Sequence, residues 1–230
     1  MSKNRVLIVA AHPDDEVLGC GGAIARHIDS GDIVKILIIA DGVSSRNYTD
    51  VKEKKHAEKY RYIAANNAAM ILGSLPPKFL SLPDNKLDSI PLLNIVKEIE
   101  TIINEFLPTI IYTHHGGDLN IDHAITYRAV MTAARPLPGS NILEIYGFEI
   151  PSSTEWGNFT HDLPFHPVHY IEISEQLQRK QQALACYDEE LRMFPHPRSL
   201  KAIEVLSQFR GVQSGMMAAE AFSVLRQLKK

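Results

Sequence analysis

The chain has 230 residues, of which 45% are hydrophobic and 22% are charged. That length can bury a full core, and it suits one large domain over residues 1–230. Lys and Arg total 24 against 27 Asp and Glu, a formal net charge of −3, so no basic excess marks a nucleic-acid or anionic-membrane partner.

Arg5–Ala11 is a continuous, β-branched apolar run. It predicts a strand buried on both faces, as in a parallel sheet. The polar turn His12-Pro13-Asp14-Asp15-Glu16 follows at once. Val17–Gly31 reads as a helix, and Asp32–Ala40 as a second buried strand leading into a polar loop. Lys52–Leu72 reads as a long helix with Gly73 as its C-cap. Lys78–Leu82 reads as a short strand. In Pro91–Phe106, residues Leu92, Val96, Ile99, Ile103 and Phe106 recur at helical spacing.

Thr109–Thr113 predicts another buried strand. It ends in the polar run His114-His115-Gly116-Gly117-Asp118-Leu119-Asn120-Ile121-Asp122-His123, before a helix from Ala124 to Arg135. Leu143–Glu149 and His169–Ile173 read as strands. Glu175–Arg192 and Ser199–Leu228 read as helical, the second broken near Gly211–Gly215. Strands alternating with helices predict an α/β fold with a mostly parallel central sheet.

The longest apolar runs, such as Val6–Ala11 and Ile36–Ala40, are too short to span a bilayer. Two cysteines, Cys20 and Cys186, make no disulfide framework. The N-terminal residues lack the pattern of a signal peptide, so a cytoplasmic, reducing setting is expected. Symmetric assembly is common for α/β enzymes of this size, which leaves a homo-oligomer open.

Ligands of open parallel sheets bind at the carboxyl ends of the strands. Two strands here end in polar clusters that would share one crevice if the strands are neighbours. Three successive carboxylates beside a buried strand repel one another and resist desolvation, which a divalent cation relieves. His12, Asp15 and His123 offer two imidazoles and one carboxylate, a usual set for catalytic zinc with a position left for water. Fe2+ or another divalent metal suits the same set. Asp122 is a candidate for orienting a ligand ring or a base.

Asp14 is then available as the general base for a zinc-bound water, whose pKa falls towards ~7. A tetrahedral intermediate also needs oxyanion stabilisation. Asn120 is a candidate donor, with His115 and His196 as others. The competing reading of the HPDDE turn alone is a charged, solvated loop. The second cluster favours the metal site.

Ala11-His12-Pro13-Asp14-Asp15-Glu16, with Leu18-Gly19-Cys20-Gly21-Gly22 after it and Asp122-His123 after a later strand, resembles the PIG-L/LmbE family of zinc-dependent de-N-acetylases. The resemblance covers the order of elements over about the first 135 residues. It implies a Rossmann-like three-layer fold and removal of an acetyl group from an N-acetylglucosamine unit. Carried over by position, it implies His12, Asp15 and His123 as zinc ligands, Asp14 as base, and Asp122 beside the third ligand. Many members carry a His where this chain has Asn120, three residues before the last ligand. Pro195–Ser199 and the run from Arg210-Gly211 to Glu220-Ala221-Phe222 resemble a subgroup.

Arg46 follows the second strand and is a candidate for a phosphate or sugar oxygen of the substrate. The alternative is a solvated loop arginine. His196 and Arg198 either reach the site or cap the last helices. Gly19-Cys20-Gly21-Gly22 does not match a dinucleotide fingerprint; its glycines would allow close helix–strand packing. Cys20 reads as a small buried hydrophobe. Trp156 and Phe159 lie in an irregular stretch, Pro151–Pro167, with His161 and His166. They would stack on a sugar or pack the loop. His27 and His56 read as surface or capping residues.

The leading expectation is a zinc hydrolase acting on an N-acetylated amino sugar in a glycan, nucleotide-sugar or glycoside. The alternatives are a zinc amidase of another sugar-linked amide (a thiol conjugate or formyl amino sugar), a metal-dependent binding protein, and a nucleotide-binding protein. The partner in the leading case is a small-molecule substrate, with no nucleic acid and no membrane insertion.

Overall fold

The computed structural model describes residues 3–157 and 163–229. Phe159 and His161 lie outside them. Among the described residues, seven strands form one sheet: β1 (Arg5–Ala10), β2 (Ile33–Ala40), β3 (Lys78–Leu82), β4 (Ile110–His114), β5 (Glu144–Phe148), β6 (His169–Glu172) and β7 (Ala219–Gln227). Their order is β3-β2-β1-β4-β5-β7-β6. The pairs from β3 to β5 are parallel, and β7 runs antiparallel between β5 and β6.

The continuous apolar runs become strands because both faces are covered. On β1, Val6 and Ile8 pack into one apolar cluster and Leu7 and Val9 into the other, the period of two that a strand imposes. The first cluster is completed by α1 (Asp15–Asp29), α2 (Val51–Leu72) and α5 (Leu177–Leu184). The second is completed by α3 (Leu92–Phe106) and α4 (Ile121–Ala133). This is a three-layer α/β sandwich with a Rossmann-like, mostly parallel sheet. Among the described residues, no helix is long and apolar enough to cross a membrane.

α3 forms where its apolar spacing predicts it. Its buried face is Ile95, Val96, Ile99, Ile102 and Phe106. Leu92 stays exposed, because the stripe facing the sheet is rotated towards Ile95 and Ile102. Each such side chain, fully buried, contributes about 1.5–3 kcal/mol.

The C-terminal third departs from expectation. Residues 199–228 are not one broken helix. α6 (Leu200–Ser214) ends at Gly215, whose φ of 74° provides a left-handed cap. The chain then enters β7. Ala219, Glu220, Ala221 and Phe222 read as helix formers, yet all four are buried between two strands. Pairing overrides propensity there. Residues 175–192 also divide. α5 stops at Leu184, and a 3-10 stretch, Ala185–Glu190, bends at Tyr187 (φ −98°, ψ 48°).

Candidate active site

β1 and β4 are adjacent at the centre of the sheet, and the chain proceeds from them in opposite directions. That reversal leaves a crevice at their carboxyl ends. The turn after β1 carries His12, Asp14 and Asp15. The loop after β4 runs into α4, whose first turn holds Asp122 and His123. α4 begins three residues before the predicted Ala124. Asn120 is its N-cap, with Oδ1 accepting the Asp122 N–H at 2.9 Å.

The two clusters meet. His12 Nδ1 stands 3.1 Å from Asp15 Oδ2, and His123 Nε2 stands 3.3 Å from the same oxygen. Both rings are buried. Burial lowers the affinity of His123 for a proton, but Asp15 and Asp118 outweigh it and raise its pKa to about 9. Burial also opposes the charge on His12. Asp122, Asp15 and Asp84 reverse that and hold its pKa well above the usual range.

Asp84 follows β3. Its Oδ1 lies 3.0 Å from His12 Nε2, and its Oδ2 accepts from the Ser45 hydroxyl. Burial raises its pKa, yet the bond from His12 and its charge hold it at about 2.

Among the described residues, two triplets could hold a metal ion: His12, Asp15 and His123, or His12, Asp84 and Asp122. Hydrogen bonding separates them. Asp122 is committed on both oxygens, accepting from Asn85 N at 2.7 Å and Leu87 N at 3.1 Å. Asp84 accepts from Asn85 Nδ2 at 3.0 Å as well as from Ser45. In the first triplet, Asp15 Oδ1 is buried with no hydrogen-bond partner among the described residues, and the buried His123 Nε2 faces Asp15 Oδ2 without forming a hydrogen bond to it. Buried polar atoms rarely remain so. The three donor atoms lie within 4.8 Å of one another. The first triplet therefore fits a cation of zinc's preference for two imidazoles and a carboxylate.

His123 is held from two sides. Asp118 Oδ1 lies 3.0 Å from its Nδ1. Asp118 is itself fixed by the Ser153 and Thr154 hydroxyls and by Asn120 N at 2.9 Å. Burial opposes charge on Asp118, but His123 and the hydroxyls keep its pKa well below the usual range. On the other side the His114 ring stacks on His123 at 4.0 Å and 20°. His114 Nε2 accepts the Ala11 N–H at 2.8 Å. Burial and the neighbouring His123 hold its pKa well below the ordinary value, so it is a neutral platform.

Asp14 occupies φ 112°, an uncommon conformation for a non-glycine residue. Its N–H donates to Glu16 Oε2 at 3.1 Å. Its carboxylate is buried, 3.0 Å from Arg198 Nη1 and 3.9 Å from Arg61 Nη1. Burial pushes its pKa up to about 6 even though Arg198 and Arg61 pull it down. Burial also pushes Glu16 up to about 8.

Asp14, His12 and Asn120 open onto one cavity of about 160 Å³, which Arg46, Arg61 and Glu190 also line. Glu190 serves three guanidiniums. It accepts from Arg46, lies 3.3 Å from Arg61 Nη2, and lies 3.8 Å from Arg198 Nη1.

Arg46 is thus at the cavity. His115 is not among its lining residues; its Nε2 donates to the Leu163 carbonyl at 2.7 Å. His196 is also outside the lining, its Nδ1 accepting the Arg198 N–H at 3.1 Å. Its neighbour Arg198 reaches the site instead. Asp122 sits beside His123 in sequence but contacts His12, with Nε2 3.0 Å from its Oδ2; Asp118 contacts His123. Trp156 stands edge-on to His196. His27 lies 2.8 Å from Asp32 and 3.0 Å from the Tyr112 hydroxyl. It is a bridging residue rather than a surface one.

Sequence reasoning missed Asp84, Asp118, Arg61 and Glu190. Asp84 has the same signal as the others, a carboxylate just after a strand. Arg61 sits mid-helix and Glu190 in an irregular turn, and neither carries a local signal.

Residues 7–134 match the family model described as PIG-L, GlcNAc-PI de-N-acetylase. The chain is similar to the uncharacterized deacetylase YaiS of Escherichia coli, 31% identical over 162 residues, 68% of this chain and 78% of the relative. It is also similar to the 1D-myo-inositol 2-acetamido-2-deoxy-alpha-D-glucopyranoside deacetylase of Rhodococcus erythropolis, 28% identical over 236 residues, 88% of this chain and 72% of the relative. Among solved structures, the N,N'-diacetylchitobiose deacetylase of Pyrococcus horikoshii superposes with a TM-score of 0.77 at 19% identity, over 97% of this chain and 84% of that one. At that identity the likeness shows the fold alone. The family match extends from β1 to the end of α4 and takes in more than half of the chain, which accordingly belongs to the PIG-L family of de-N-acetylases and is a hydrolase of the N-deacetylase class.

Proposed function

We propose that the protein removes the N-acetyl group of an N-acetylglucosamine-type amino sugar, with Zn2+ held by His12, Asp15 and His123 and with Asp14 as general base. One observation carries this reading: the buried Asp15 Oδ1 and His123 Nε2, which form no hydrogen bond among the described residues, lie in one cluster with His12, and His12 lines one cavity with Asp14. The name of the Rhodococcus relative supports the substrate class.

When bound, the cation supplies Lewis acidity towards water and the acetyl carbonyl. The rest falls to the chain. Asp14 accepts a proton from the attacking water and returns it to the departing amine nitrogen. Its burial keeps the carboxylate basic enough for the first step. Asn120 has its Oδ1 engaged by the helix, so its Nδ2 protons remain for a developing oxyanion. Arg46 and Arg61 are the donors for sugar oxygens. Asp118 holds the His123 ring in place.

Two measurements follow. Asp118→Asn is expected to weaken metal binding by about 10–100-fold, the usual effect of losing a carboxylate behind a ligand. Competition with a chelator measures it, and unchanged affinity removes Asp118 from that role. The reaction itself is tested by acetate release from free N-acetylglucosamine and from its disaccharide, inositol, nucleotide and lipid conjugates. Acetate from one class supports the reading. Formate or a longer acid from N-acyl analogues, with no acetate from any class, would move it to another amide.

A further inference from the structure

α1 is not continuous. Cys20 has φ −149° and ψ 24°, which separates a first turn, Asp15–Gly19, from the segment starting at Gly21. Such a break leaves a carbonyl at the end of one piece and N–H groups at the start of the next without helical partners.

Two buried side chains from distant elements fill the break. Glu220 on β7 accepts from Gly22 N at 2.8 Å and from Ala23 N at 2.7 Å, one bond to each carboxylate oxygen. Lys180 on α5 donates to the Leu18 carbonyl at 2.9 Å and to Glu220 Oε1 at 2.6 Å. The pair is 3% and 5% exposed. The glycines of this stretch make the arrangement possible. A Cβ on Gly21 would stand 3.2 Å from Lys180 Cγ, and one on Gly22 only 2.7 Å from the Ile173 side chain.

A buried ion pair is a poor way to stabilise a core, because desolvation offsets its attraction and apolar replacements often do as well. What this pair does supply is geometry. Lys180 grips the carbonyl of Leu18, whose own N–H donates to the Asp14 carbonyl at 2.9 Å. The gripped turn therefore begins at Asp14, in its uncommon φ of 112°. A residue in such a conformation persists only where its surroundings over-determine it. The side chains of Asp14 and Asp15 both leave from this turn.

We propose that Lys180 and Glu220 are positioning residues: they fix the break in α1 and thereby aim Asp14 at the cavity and Asp15 at the His12 and His123 rings. The inference rests on reading Asp15 as a metal ligand. Metal-free wild type, Lys180→Met, Lys180→Met/Glu220→Gln and Asp15→Ala are titrated with Co2+, recording the dissociation constant and the visible absorption spectrum. Circular dichroism reports the fold.

The expected result is that both Lys180 variants keep the wild-type circular dichroism and bind Co2+ about 10–100-fold more weakly, as for other groups that orient a ligand, with an altered visible spectrum. Unchanged affinity and spectrum in the folded variants overturn the proposal. Loss of the fold in both variants also overturns it, since the pair would then carry the core rather than aim a turn. A wild-type chain that takes up no more Co2+ than Asp15→Ala sinks the metal reading itself, and the positioning proposal with it.

Discussion

Asp14→Asn is expected to keep its metal and lose acetate release by about 10²–10⁴-fold, the range a positioned general base supplies. The substitution is nearly isosteric, and neither oxygen of Asp14 belongs to the triplet that would hold the cation. Asn retains an amide oxygen for Arg198, which donates to Asp14 Oδ2 at 3.0 Å. What disappears is the capacity to accept a proton and return it. A variant with full metal content and near wild-type turnover would remove Asp14 from the base's role. Elemental analysis beside the acetate assay distinguishes this from simple loss of metal.

The second large effect is expected from the ligands. His12→Ala, Asp15→Ala and His123→Ala should each weaken zinc binding by more than about 100-fold, since removing even an outer partner costs 10–100-fold. Asp15→Ala should be the most damaging. Asp15 Oδ2 faces both rings and also accepts the His12 N–H at 2.8 Å, so its loss disorders the turn as well as the donor set. By contrast, Asp84→Ala and Asp122→Ala should retain measurable zinc, because their oxygens are already engaged by backbone and side-chain donors. The opposite ranking, with zinc lost in those two and kept in Asp15→Ala, would assign the cation to the other triplet.

The part of this site on β1 and β4 was legible because two elementary signals coincide there. A run such as Val6–Ala10 has no polar face, so it must be covered on both sides. A polar cluster directly after such a run falls on the rim where sheets of this kind bind ligands. His12, Asp15 and His123 are found by that rule, and the structure brings them together. Asp84 obeys the same rule after β3, but a single carboxylate in a proline-containing turn does not stand out.

Arg61 and Glu190 could not be read in this way. Their approach depends on how α2 and the stretch after α5 lie over the crevice, and packing decides that. Asp118 was visible as one acid among several, but which carboxylate faces His123 depends on the path of the loop through Ser153 and Thr154. β7 was missed because its buried half, Ala219–Phe222, alternates too little to betray a strand. Only its place between β5 and β6 makes it one.

In the proposed function, a cation at His12, Asp15 and His123 serves amide hydrolysis. Its most direct measurement is acetate release by chelated protein as Zn2+ is added back, with Asp15→Ala alongside, on the amino-sugar conjugate that the substrate assay selects. The expected result is no release after chelation, recovery that saturates near one equivalent of zinc, and no recovery in the variant. Acetate release that persists at full rate after the metal is removed would contradict it.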